Sequence, residues 1–160
     1  MFSWLYTGKI PKDNDGWLHV AEVKGMSEDH GSQDEAVELA QLKAIVFGDR
    51  FLAFSFQAAV QKRLVKALVN INNPAWYASV LYTYANMTKD NPTLDLLAGL
   101  QFRFWDEETD DAHPKELTLR PGLPNDLLVR VMKKFAAHRG KSRSRSQDLD
   151  HSDYHVRSRD

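Results

Sequence analysis

Cysteine is absent from this chain of 160 residues. A disulfide scaffold, a thiolate zinc site and a cysteine nucleophile are therefore excluded, and a reducing compartment suits the chain. Long apolar runs are missing too: nothing approaches the roughly 20 residues that span a bilayer. The opening "MFSWLY" is apolar over about five residues, too few for the core of a signal peptide. A soluble protein made and kept in the cytoplasm of a host cell is the expectation. The sequon Asn86-Met87-Thr88 is then left unglycosylated. An excess of one charge is also lacking: the net charge is −1, which argues against a generic polyanion binder.

Signatures of catalysis are equally scarce. There is no GxSxG, no P-loop and no GxGxxG. The histidines His19, His30, His113, His138, His151 and His155 form no HExxH or HxH pair. Residues 11–22 come near a calcium loop, with Asp13, Asp15, Gly16 and Glu22 at its third, fifth, sixth and twelfth positions. Pro11 at the first position has no ligating side chain, so Asp15-Gly16 reads as an ordinary turn. No catalytic residue, cofactor or metal ion is expected.

What is present is 42% hydrophobic residues, enough for one core. The expected fold is α+β. A single compact domain spans residues 1–138, with a small antiparallel sheet packed by about four helices. A disordered, charged tail follows over 139–160. Trp17, His19, Ala21 and Val23 alternate with Leu18, Val20, Glu22 and Lys24, which predicts a strand. Ser32 and Glu35 have capping-box spacing for a helix from Gln33. Residues 34–56 are open between helix and hairpin. The β-prone Ile45, Val46, Phe47, Phe51, Phe54 and Phe56 around Gly48-Asp49 favour the hairpin.

"QAAVQKRLVKALVN" has helical spacing. Asn73-Pro74 predicts the start of a further helix, "PAWYASVLYTYANMT", apolar nearly all round. "NPTLDLL" reads as a short helical turn, and "AGLQFRFWDEE" and "KELTLRP" as strands. Pro124-Asn125-Asp126 opens a last helix that docks through Leu127, Leu128, Val131 and Phe135.

Charge layout carries most of the functional information. Lys133, Lys134, Arg139, Lys141, Arg143 and Arg145 form a basic run without an intervening acid. It starts on a helix and continues into an arm suited to phosphates, where counterion release drives binding without reading sequence. Keeping the protein soluble is the competing reading of such a terminus. Ser142, Ser144 and Ser146 alternate with Arg143 and Arg145, the spacing that Arg-Ser kinases modify. Each phosphate would add about −1.5 to −2 of charge. The opposite patch is Asp106, Glu107, Glu108, Asp110 and Asp111. It suits the basic tail of a neighbouring copy, so a homo-oligomer is expected. Phe2, Trp4, Leu5 and Tyr6 make an aromatic start that suits a membrane surface or a partner.

The segment "GLQFRFWDEETDDA", Gly99 to Ala112, resembles the late strand-then-acidic-turn segment of rhabdovirus matrix proteins. The absence of cysteine, the basic arm and the apolar end fit the same family. The resemblance implies a non-enzymatic viral structural protein that self-assembles, condenses a ribonucleocapsid and bridges it to membrane. Two features depart from the family: the arm is C-terminal rather than N-terminal as in the animal-virus members, and no PPxY motif is present. An intracellular adaptor with a phosphorylation-controlled tail is the alternative. Further behind stands an enzyme joining His19 or His113 to distant carboxylates.

Overall fold

The structure, a computed structural model, describes residues 9–20, 30–71, 73–111 and 113–140. Every regular element among them is helical, so the antiparallel sheet of the expected α+β fold is corrected. In chain order the helices are α1 (Asn14–Val20), α2 (His30–Arg50), α3 (Phe54–Ile71), α4 (Tyr77–Asn86) and α5 (Pro92–Phe104). They are followed by α6 (Glu107–Asp111), α7 (Pro114–Leu119), a 3-10 turn (Arg120–Gly122) and α8 (Asn125–Gly140). The chain divides into two compact units inside α3, between Leu64 and Val65.

In the first unit, Asp13 accepts the Gly16 amide through its side chain (2.8 Å), and the chain enters α1 instead of turning into a strand. Trp17 is buried where α1 packs on α2. His19, read as a strand residue, lies exposed on this helix. Helix α2 starts at His30, three residues ahead of Gln33, and runs through Gly48-Asp49 without a break. The expected hairpin is therefore two helices, and the reason is tertiary. Val37, Ala40, Leu42, Ala44, Ile45 and Val46 are buried, and so are Glu35, Glu38 and Gln41. With burial on nearly every side, α2 has no apolar stripe for periodicity to detect.

Gly48 serves close approach, not a turn. A Cβ there would lie 2.8 Å from the Gln57 Cβ and 3.2 Å from the Gln57 backbone. The reversal comes at 51–53, where Leu52 adopts φ 55°. For a residue with a Cβ this left-handed conformation costs about 1–2 kcal/mol. Helix α3 then buries Phe56, Val60, Leu64, Val65 and Leu68 at helical spacing, with Ala59, Lys62 and Lys66 outward.

In the second unit, two Asn-Pro pairs behave differently. Asn91 caps α5, its side chain accepting from the Thr93 amide (3.0 Å), with Pro92 in the first turn. Asn73-Pro74 caps nothing, and α4 begins three residues later at Tyr77. The predicted strand "AGLQFRFWDEE" is the continuation of α5. Both sides of that helix are in use, which gives an alternation resembling a strand. Gln101 donates to the Ala75 carbonyl (2.6 Å), and Phe102 meets Phe135 of α8 edge-on (4.7 Å). The strand half of the segment Gly99–Ala112 is thus helix. "KELTLRP", also read as a strand, is α7 and the 3-10 turn.

Helix α8 forms as predicted and lies along α5. Arg130 fastens it, bonding Asp126 (2.8 Å), Asp95 (2.6 Å) and the Lys89 carbonyl (2.5 Å).

Gly48→Ala tests the close helix approach. On an open helix surface this change stabilises by about 1 kcal/mol. Here it is expected to destabilise by about 1–3 kcal/mol, because the methyl overpacks against Gln57. Chemical denaturation of the two chains measures the sign.

Candidate interaction surface

Tyr77 gathers the polar groups of the second unit. Its amide opens α4, and Trp76 at the cap position supplies no side-chain bond. The acceptor comes from α7 instead: buried Glu116 takes the Tyr77 amide at 2.7 Å. A carboxylate there also favours the positive end of the helix dipole. The Tyr77 hydroxyl accepts from Trp105 Nε1 (3.0 Å) and bonds Asp110, which in turn pairs with Arg120. Burial, followed by the hydrogen bond to Asp110 and its charge, pushes the Tyr77 phenol up to about 12. Burial likewise raises Tyr84, whose hydroxyl donates to the Leu94 carbonyl (3.2 Å). Trp76 meets the His113 ring edge-on at 5.3 Å. These contacts tie α4 and the residue before it to the segments that follow.

The predicted acidic patch is divided by this arrangement. Asp110 is buried in the Tyr77–Arg120 network. Asp106, Glu107 and Glu108 are exposed beside half-exposed Trp105, and Asp111 ends α6. Asp110 is therefore structural, and three carboxylates are presented outward. Among the described residues no group of histidine and carboxylate side chains is arranged to hold a metal ion.

The basic run begins where predicted. Lys133 and Arg139 are exposed on α8, and Lys134 is half-buried. Among the described residues none of the three has an ion-pair partner. Lys141, Arg143, Arg145, Ser142, Ser144 and Ser146 lie outside the described residues, and so do Phe2, Trp4, Leu5 and Tyr6.

Two surfaces escape a reading of the sequence. On α8, Leu127 is buried as expected, but Leu128, Val129, Met132 and Phe135 are exposed by roughly half or more. Leu128, expected to dock, lies on the flank of the helix rather than its buried side, whereas half-exposed Phe135 does meet Phe102 of α5. Angular position along α8 separates them: Leu128 stands about 100° from Leu127. The second surface is the tip of the α2–α3 hairpin, with Phe51, Leu52 and Phe54 exposed. Its residues fall in the stretch 34–56, which the sequence leaves open between helix and hairpin. No known protein family, curated protein or solved structure matches this chain.

Glu116→Ala is expected to destabilise the protein by about 1–2 kcal/mol, the usual loss on removing a helix cap. Glu116→Gln, which keeps an acceptor but not the charge, should lose less. Thermal unfolding of both measures the order.

The Tyr77 proton is held more tightly folded than unfolded. Its contribution to stability is therefore complete below pH 10 and is lost as pH rises toward 12. Ultraviolet titration of the phenolates should show the Tyr77 and Tyr84 transitions missing from the folded wild-type chain near pH 10. Tyr77→Phe should leave that part of the curve unchanged.

Proposed function

We propose that this is a non-enzymatic structural protein of the viral matrix kind. It self-associates, contacts RNA or nucleoprotein through the basic end of α8, and bridges that complex to a membrane surface, in the host cytoplasm or the virion. The outer face of α8 carries this reading. Leu128, Val129 and Met132 form an exposed apolar row there, with Lys133 and Arg139 beside it, neither paired with an acid among the described residues. The apolar row suits a protein neighbour, and the exposed cations suit phosphates. Further support is the sequence that follows, where Lys141, Arg143 and Arg145 extend the same charge. The exposed Asp106, Glu107 and Glu108 offer a complementary surface to another copy.

Among the described residues no helix is long and apolar enough to cross a membrane.

Binding to single-stranded RNA should weaken steeply with salt. Lys133→Glu with Arg139→Glu should flatten the slope of log affinity against log salt by about 1.4, at about 0.7 for each lost phosphate contact. Ending the chain at His138 should remove most of the remaining binding and leave the thermal midpoint unchanged. Sedimentation at two salt concentrations reads self-association. A chain that stays monomeric and binds RNA without salt dependence would refute the proposal.

A further inference from the structure

Phe51, Leu52 and Phe54 stand at the tip of the α2–α3 hairpin, 68%, 69% and 50% exposed. Leu52 is also the residue at φ 55°, where glycine or asparagine folds with less strain. Two separate penalties thus fall on neighbouring residues: apolar exposure and backbone strain. Neither contributes to the core of this unit. A side chain kept outward at such a position has its use outside the fold.

The tip is braced from below. The Phe47 ring lies against Phe51 (4.5 Å) and edge-on to Phe56 (6.3 Å). Gly48 lets α2 close on Gln57, and Gln57 Nε2 reaches Asp49 Oδ1 at 3.4 Å. The turn amides are bonded internally: Phe51 to the Phe47 carbonyl, Leu52 to Asp49 and Ala53 to Gly48, at 3.0, 3.3 and 2.8 Å. These three donors are not orphaned when water is removed, which is what an apolar medium requires.

We propose that this tip inserts into the interfacial layer of a lipid bilayer. The assignment rests on the membrane-bridging part of the function proposed above and is independent of the basic end of α8. Area decides the occupant. At these exposures, side chains of about 150–250 Å² offer roughly 300–400 Å² of apolar surface. A stable contact with a second copy or another protein takes about 800 Å² from each side. Lipid closes around a convex tip and needs no matching surface, so the smaller area suffices for a shallow anchor. Exposed Arg50 and Ser55 flank the tip.

The test uses the full chain with vesicles of phosphatidylcholine, alone or mixed with phosphatidylserine. Phe51→Ser, Leu52→Asn and Phe54→Ser together place polar groups at exposed positions, and asparagine suits the left-handed turn. This variant should keep its helical signal and RNA binding, yet lose vesicle binding by about tenfold or more. Because the chain has no cysteine, Leu52→Cys takes a single environment-sensitive dye. Its emission should shift to the blue with vesicles, whereas dye on Ala58→Cys, exposed along α3, should not shift. Equal vesicle binding by the triple variant, or a Leu52 dye that stays in water, overturns the tip and spares the bridging role. A wild-type chain that binds neither vesicle overturns both.

Discussion

A buried helix start must find an acceptor for its amide, and in the second unit that constraint is met at Tyr77. Trp76 cannot cap α4, so the Glu116 carboxylate arrives from α7. The same tyrosine reaches with its hydroxyl to Trp105 at the end of α5 and to Asp110 on α6. One residue therefore fixes α4 against three later segments. Asp110 is held in place by Arg120, and the short helices α6 and α7, too short to be stable alone, acquire a defined position. Arg130 does similar work between α8, α5 and the Lys89 carbonyl.

These fastenings explain how the outer surfaces are disposed. The inner side of α8 is occupied by Leu127 and Arg130, and Phe135 and His138 reach the Phe102 ring. Leu128, Val129 and Met132 are left outward by helix geometry alone. In the first unit, Gly48 and the left-handed Leu52 make a tight reversal that leaves Phe51 and Phe54 outside. Both apolar surfaces are consequences of how the backbone is held.

Helices α3 and α8 were legible in the sequence because each buries one side and exposes the other. The first turn of α5 was legible as the short helical turn NPTLDLL, but its length was not, since Leu100, Phe102 and Phe104 alternate like strand residues. Helix α2 gave no periodic signal because charged Glu35 and Glu38 are buried among its apolar residues. Gly48-Asp49 looked like a turn, and only contact with Gln57 gives that glycine its reason. At the surface, the exposed cations Lys133 and Arg139 were legible from charge alone. The withdrawal of Asp110 from the acidic patch was not, because its partners Tyr77 and Arg120 lie at separations that no local pattern encodes.

The distance along the chain between Tyr77 and its cap has a consequence in time. Glu116 follows Tyr77 by 39 residues. During synthesis α4 leaves the ribosome well before the carboxylate that completes it. At about 5–20 residues per second, that interval lasts some seconds, long compared with helix formation in microseconds. The first turn of α4 therefore has no side-chain cap until α7 is made and docks.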